Sequence, residues 1–183
     1  MGTLIVTGGS LRSRRVTAPG GRAVRPTPSR VKEALFSILA GRLTDARVLD
    51  LFAGSGALGF EALSRGAAHV TFVEAHRPTA TLLAENARLL GVADRSAVLA
   101  ASAESAVARL SGRFDLVFAD PPYAQPYPGG VFGALRARGA IDAESLVVYE
   151  HSSREAAPAD PQFALVRSER YGAVALAFLK AAA

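Results

Sequence analysis

Val48-Leu49-Asp50-Leu51-Phe52-Ala53-Gly54-Ser55-Gly56-Ala57-Leu58-Gly59 is the stretch on which the fold turns. An apolar run ends in a carboxylate, passes through a glycine turn and enters a helical pattern, the layout of a strand feeding a helix. Gly54 and Gly56 permit positive φ and let a ligand approach the backbone closely. The helix that follows begins with N–H groups that have no partner inside it. Gly54-x-Gly56-x-x-Gly59 matches a dinucleotide fingerprint, a weak signal alone. No Lys-Ser or Lys-Thr follows, which disfavours a nucleoside triphosphate loop. Asp50, ahead of the glycines, would repel a pyrophosphate and so argues against NAD. It suits a ligand with an amino group and a cationic centre, and S-adenosylmethionine has both.

Working outward, strand patterns at 47–51, 69–74, 96–100 and 114–119 alternate with helical ones at 57–65, 77–91 and 104–110. Gly91 stands just past the longest helix, where a terminating glycine belongs. Such alternation predicts an α/β, doubly wound, mostly parallel sheet with helices on both faces. Its ligands bind beyond the carboxyl ends of the strands, where Asp50, Glu74 and Asp120 all fall. Glu74 closes His69-Val70-Thr71-Phe72-Val73 and lies twenty residues past Gly54, a placement for accepting from ribose hydroxyls; the alternative is a solvated strand-end Glu. Further on, the pattern gives a helix near 131–138, a strand at Leu146-Val147-Val148-Tyr149, a polar loop over 151–161, and closing strands at 162–169 and 173–180 around Tyr171-Gly172.

Asp120-Pro121-Pro122-Tyr123 follows the buried-strand pattern Phe114-Asp115-Leu116-Val117-Phe118-Ala119. The prolines fix φ and remove two backbone donors. Carbonyls beside the Asp120 carboxylate make a slot rich in acceptors, and Tyr123 adds a flat face. This suits a planar ring carrying an exocyclic amine. Alone, the four residues read as readily as a strand-ending turn.

The amino-terminal segment differs in charge. Residues 1–47 hold nine Arg or Lys against two acids, a net of +7, and residues 48–183 hold twelve against fourteen. A basic arm ahead of a near-neutral domain points to a polyanion, against the alternative of a solvated Arg-rich surface. Leu4-Ile5-Val6 and Arg15-Val16-Thr17-Ala18 read as a hairpin around Gly8-Gly9. Thr27-Pro28 reads as a helix start, with the hydroxyl as cap. Val31, Leu35, Ile38 and Leu39 then share one helical face, leaving Arg30 and Lys32 for solvent or RNA. The expected division is an extension over 1–45 and a main domain over 46–183.

With no cysteine among 183 residues, there is no disulfide framework and no thiolate metal site. His69, His76 and His151 lack metal-ligand spacing, so no metal is expected. No apolar run is long enough to span a membrane, and the start lacks the layout of a secretory signal. The cytoplasm is the expected compartment.

Asp50 with the glycine turn, Glu74 and Asp120-Pro121-Pro122-Tyr123 together resemble a class I S-adenosylmethionine-dependent methyltransferase acting on an exocyclic nitrogen. Gly8-Gly9-Ser10-Leu11-Arg12-Ser13-Arg14-Arg15 and Arg25-Pro26-Thr27-Pro28-Ser29-Arg30-Val31-Lys32-Glu33-Ala34-Leu35-Phe36 narrow this to a resemblance to the bacterial RsmD family. Members of that family methylate N2 of a guanine in the 16S RNA of the small ribosomal subunit. The resemblance implies a Rossmann-like seven-stranded sheet whose last strand is antiparallel, with a small hairpin-and-helix extension. It implies Asp120, Pro121, Pro122 and Tyr123 as catalytic. For S-adenosylmethionine it implies Asp50, Phe52, Ala53, Gly54, Ser55, Gly56, Glu74, Ser102, Ala103 and Asp120. Ser102 stands where the family often has Asp or Asn, and Glu104 or a backbone amide are the alternatives for the adenine contact. Arg12, Arg14, Arg15, Arg25, Thr27, Arg30 and Lys32 become the RNA-facing set. The implied partner is small-subunit ribosomal RNA within an assembling 30S particle, and the enzyme is expected to be a monomer. The rival readings are adenine-N6 methylation of DNA or RNA, an NAD-dependent oxidoreductase, and a catalytically silent RNA-binding module.

Overall fold

The computed structural model describes residues 2–20, 27–122 and 125–182. Strands β1 (Gly2–Ile5) and β2 (Arg15–Ala18) pair antiparallel as the expected hairpin. Helix α1 (Ser29–Ile38) follows. The alternating segment then runs β3 (Arg47–Asp50), α2 (Ala57–Ser64), β4 (His69–Glu74), α3 (Arg77–Leu90), β5 (Ser96–Ala100), α4 (Ala103–Ala106), β6 (Leu116–Ala119), α5 (Gly129–Ala137), β7 (Leu146–Ser152), β8 (Phe163–Tyr171) and β9 (Val174–Ala181). The last seven strands form one sheet in the order β5-β4-β3-β6-β7-β9-β8. β3 to β7 are mutually parallel, and β9 runs against both its neighbours. This is the Rossmann-like α/β fold expected from the sequence.

The chain winds outward from β3 through β4 to β5, then returns to lay β6 on the other side of β3. The reversal opens a crevice beyond the carboxyl ends of β3 and β6, the place where such sheets bind ligands. The central strands are apolar throughout because both faces are covered. Val48, Phe72, Phe118 and Val148 pack with Leu35 and Phe36 of α1, Phe60 of α2 and Leu83 of α3. Leu49, Val73, Val117 and Val147 pack with Ala106 of α4 and with Phe132 and Leu135 of α5. Gly59 lets α2 seat directly on β4, since a Cβ there would meet the Phe72 ring at 2.2 Å. α3 stops at Gly91, whose φ of 72° is left-handed, with Val92 N–H returning to the Ala87 carbonyl at 2.9 Å.

Val6, Leu11 and Val16 of the extension join the core that holds α1 and α2. Three expectations change here. Thr27 is not the cap of α1: Pro28 holds that position, and the Thr27 hydroxyl donates instead to Glu150 Oε2 at 3.2 Å. Lys32 is not available to RNA. It is 3% exposed, and its Nζ donates to the Ile5 carbonyl at 3.0 Å and to Glu61 Oε1 at 3.4 Å. The hairpin covers the flank of α1 that the apolar stripe leaves polar, so the buried arc is wider than that stripe. Lastly, β7 runs to Ser152, because His151 and Ser152 pair with Ala175 and Val174 of β9; the expected loop starts later. No helix among the described residues is long and apolar enough to cross a membrane.

Candidate active site

Strand period and register bring four carboxylates to one face of the sheet at one rim. Asp50 stands opposite Phe72 in β4 and Phe118 in β6. Side chains alternate along a strand, so Glu74 and Asp120, two residues beyond those partners, fall on the face of Asp50. Val148 stands opposite Phe118, which puts Glu150 on the same face. All four line a single cleft of about 1070 Å³, whose wall also includes Pro19, Gly20 and Thr27 of the extension.

The first half of the cleft is the glycine loop. Gly54 and Gly56 have φ of 52° and 79°, and Gly56 caps α2 without a side chain. Asp50 supplies the missing acceptor: its Oδ2 receives the Gly59 N–H, in the first turn of α2, at 3.1 Å. Glu74 Oε2 receives the Gly54 N–H at 2.9 Å, and its Oε1 receives the His76 N–H at 2.8 Å. Three backbone N–H groups thus serve the protein's own carboxylates. Each carboxylate is held in a fixed pose with acceptor capacity left over, since two oxygens offer about four lone-pair sites. Burial is the main cause that pushes the Asp50 carboxyl up, to about 7; the Glu74 charge adds to it and the Gly59 N–H opposes it.

The second half is the end of β6. Asp120 is partly exposed to the cleft, Pro121 is buried beneath it, and Pro122 is exposed. The Asp120 carboxyl is held well above the usual range, first by burial, then by the charges of Glu150 and Asp50, with the Thr27 hydroxyl opposing. That hydroxyl carries one proton and lies between Asp120 and Glu150; the hydrogen bond goes to Glu150. Asp50 and Asp120 stand at the ends of the neighbouring strands β3 and β6 and open into the same cleft.

Phe52, Ala53, Ser55, Ser102 and Ala103 line the same cleft, and Gly56 does not. A Cβ on Gly56 would meet Phe60 and Leu83 at 2.5 and 2.6 Å, so this glycine shapes the turn against the core. Ser102 caps α4, its Oγ accepting the Ser105 N–H at 3.3 Å, and Glu104 also faces the cleft. Tyr127 lies on the wall, but its hydroxyl donates to Asp160 Oδ2 at 3.0 Å and its ring meets Phe132 and Tyr149 edge-on. Arg12, Arg14, Arg15 and Arg30 are exposed; Arg14 donates to the Leu89 carbonyl at 2.8 Å. Tyr123 and Arg25 lie outside the described residues. Sequence reasoning missed Glu150, His76 and Thr79, which line the cleft too. Glu150 carries the signal used for Asp50 and Asp120, an acid after an apolar strand run, but the sequence pattern ends that strand at Tyr149, three residues short of Ser152.

A seven-stranded sheet in this order, with a glycine loop after its first strand and acidic strand ends on one rim, defines the chain as a Rossmann-like methyltransferase. The model of the family described as "Conserved hypothetical protein 95" matches residues 4–180. Ribosomal RNA small subunit methyltransferase D of Escherichia coli K12 is 36% identical over 175 residues, 95% of this chain and 88% of that protein. The YlbH protein of Bacillus subtilis is 31% identical over 179 residues, 96% and 97% of the two chains. The solved yhhF structure from Escherichia coli superposes with a TM-score of 0.87 at 35% identity, covering 98% of each chain. The chain belongs to this family, the RsmD family.

Proposed function

We propose that this protein transfers a methyl group from S-adenosylmethionine to the exocyclic N2 of a guanine in small-subunit ribosomal RNA. The observation that carries the reading is the single cleft into which Asp50, Glu74 and Asp120 all open. The donor set fits the methyl donor better than a dinucleotide: a pyrophosphate beside Asp50 would meet like charge, whereas an amino group and a sulfonium meet opposite charge. Bound there, S-adenosylmethionine supplies an electrophilic methyl group. Asp50 accepts from its amino group, and Glu74 accepts from the ribose hydroxyls. Phe52, Ala53, Gly54 and Ser55 form the adjoining wall. Ser102 and Ala103 flank the adenine, with Glu104 the alternative acceptor.

The guanine amine is a poor nucleophile because its lone pair is delocalised into the ring. Asp120 and the Pro121 carbonyl accept from the amine hydrogens and aim that lone pair out of the ring plane. Pro122 stiffens the slot, and Tyr123 stacks on the base. The new N–C bond forms as the C–S bond breaks, and the surplus proton leaves N2 afterwards to Asp120 or water. Positioning and fixed electrostatics supply most of the acceleration. The base reaches the slot by leaving its stack. Residues 1–45 act as the RNA-contacting extension of a methyltransferase domain over 46–183, through Arg12, Arg15, Arg25 and Arg30. The other substrate is proposed to be an assembling 30S particle, met by a monomer.

The test is incubation of undermethylated small subunits with enzyme and methyl-labelled cofactor, followed by nucleoside mass spectrometry. N2-methylguanosine at one mapped position is expected, and N6-methyladenosine or no product overturns the proposal. Asp120→Ala is expected to lower turnover at least ~100-fold while calorimetric affinity for S-adenosylhomocysteine stays within about threefold, the loss following from removal of an acceptor used in the transition state.

A further inference from the structure

Two prolines in succession give the turn after β6 carbonyls but no N–H of its own with which to hold to the sheet. β7 runs beside that turn. Ala119 stands opposite Tyr149, and two further steps in the same register bring Pro121 beside His151. Both line a recess, together with Pro122, Gln125 and Glu155, and the two prolines line the cleft as well. The recess measures about 10 Å³, roughly the least space that holds one water. His151 is 3% exposed, and its ring stacks on Tyr149 with centroids 5.4 Å apart and planes at 11°. Its Nδ1 lies 3.0 Å from the Ser152 carbonyl. A carbonyl only accepts, so Nδ1 carries the ring proton and Nε2 carries the lone pair. Burial is the main cause that pushes the ring's pKa down; the Ser152 carbonyl and the Glu155 charge oppose it, and the Arg170 charge adds to it. The lone pair is therefore present at neutral pH. Nε2 is buried, and no hydrogen-bond partner meets it among the described residues. A buried acceptor that no donor meets is costly.

The recess thus has acceptors on two walls, His151 Nε2 on β7 and the prolines of the turn. The Pro122 carbonyl takes the Gln125 N–H at 2.8 Å and keeps a second lone pair. A group that joins two acceptors must be small and carry two donor hydrogens, and water is such a group. We propose that one bound water occupies this recess, donating to His151 Nε2 and to a carbonyl of the Pro121-Pro122 turn, and that His151 positions the turn through it. The water site stands on the geometry of the recess. Its effect on turnover rests on the reading of this turn as the slot for the target amine, and deepens that reading. His151 is a positioning residue, since it touches neither base nor cofactor. The turn has no donor of its own, and the water supplies one at the edge where Pro121 and Pro122 pass from the recess to the cleft.

A high-resolution crystal structure is expected to show a water oxygen roughly 2.7–3.2 Å from His151 Nε2. The chain has three histidines, so the ring signal absent from His151→Gln in a proton–nitrogen correlation spectrum is that of His151. It is expected to report the Nδ1–H tautomer. A bare Nε2, a protein donor on it, or the other tautomer would overturn the water site. Two variants test the role. His151→Gln keeps an amide oxygen within reach of the place of Nε2, whereas His151→Phe keeps a flat ring for Tyr149 and has no acceptor. On undermethylated small subunits, kcat is expected to stay within about twofold of wild type in the Gln variant and to fall ~5- to 10-fold in the Phe variant, the worth of one neutral hydrogen bond. Calorimetric affinity for S-adenosylhomocysteine should be unchanged in both. Packing alone predicts the opposite order, because Phe preserves the stack. A Phe variant as active as wild type, or a Gln variant as slow as the Phe variant, would overturn the positioning role. If the Phe variant does not fold, the crystal water and the turnover of the Gln variant decide. Absence of N2-methylguanosine from the wild-type enzyme would overturn the guanine reading itself, and the crystal structure and the tautomer would still judge the water site.

Discussion

Asp50 is the side chain at which stability and binding oppose each other. Its carboxyl rises from the ordinary 3.8 to about 7. The folded protein therefore keeps a proton that the unfolded chain has released between those values. By linkage, the stability this group contributes is fully present below about pH 4 and is lost as pH rises through about 7. At 1.36 kcal/mol per pH unit the span amounts to about 4 kcal/mol, an order-of-magnitude figure for a buried group. Asp50→Asn keeps an oxygen for the Gly59 N–H and removes the charge. Its midpoint of thermal unfolding is expected to exceed that of wild type at pH 7.5 and to approach it at pH 4.5, as followed by circular dichroism. The same variant is expected to bind S-adenosylmethionine ~10- to 100-fold more weakly by calorimetry, since a charge-assisted hydrogen bond is lost. A wild-type pH profile in the variant would remove Asp50 from the buried, proton-holding state. Asp50 was legible because a carboxylate before a glycine turn is a local pattern. The Thr27 bond to Glu150 was not, because it joins residues 123 apart in the chain.

At the scale of elements, the extension is clamped to the sheet through Glu61 of α2. This side chain is wholly buried, accepts the Thr7 N–H, and pairs with Lys32 of α1 and with Arg65 at 3.2 Å. Arg65 also lies over the Phe36 ring, 5.1 Å from its centroid. Ser64 adds a second tie, receiving the Ser10 N–H on its carbonyl at 2.7 Å and the Leu11 N–H on its hydroxyl at 2.8 Å. Gly9 makes that approach possible, since a Cβ there would meet the Ser64 carbonyl at 1.9 Å. The clamp also bears on the cleft, whose wall includes Pro19, Gly20 and Thr27 of the same extension. Lys32→Met leaves Glu61 with Arg65 and Thr7 only. It is expected to cost about 2–4 kcal/mol in urea unfolding, somewhat less than the ~3–5 kcal/mol for breaking a lone buried pair, because Arg65 still meets Glu61. It should leave the salt dependence of RNA binding unaltered. A changed salt slope with unchanged stability would return Lys32 to the RNA surface. The elements themselves were legible: His69–Glu74 and Ser96–Ala100 begin and end at the bounds read from the sequence. The covering of α1 by the hairpin was not, because periodicity reports one packing face and α1 has two.

Over the whole molecule, charge is divided between two places with opposite tasks. Residues 1–47 carry a net of +7, while the cleft floor collects Asp50, Glu74, Asp120 and Glu150. A phosphate is attracted by the first and repelled by the second. A neutral base feels neither field strongly and can enter an acidic slot that excludes the backbone it hangs from. Under the proposed function, the arrangement would sort a nucleotide by its parts, holding phosphates at the arm and admitting a base to the sheet rim. The arm has a measurable signature, because each phosphate neutralised by Arg or Lys releases counterions. Arg12, Arg14 and Arg15 are exposed around the hairpin, but Arg14 is committed in part to the Leu89 carbonyl near the end of α3, where a cation also meets the negative pole of the helix. Replacing all three by Ala is thus expected to reduce the slope of log K against log salt by ~1.4 to 1.8, two contacts at ~0.7 to 0.9 each, and not by the ~2.1 to 2.7 of three. Turnover at saturating RNA should stay within a few-fold of wild type, with the loss confined to KM, since none of the three lines the cleft. Filter binding from 50 to 200 mM salt and steady-state kinetics read the two quantities separately. An unchanged slope would assign these arginines to solvent. A fall in turnover at saturation would mean that the arm shapes the slot as well as the encounter.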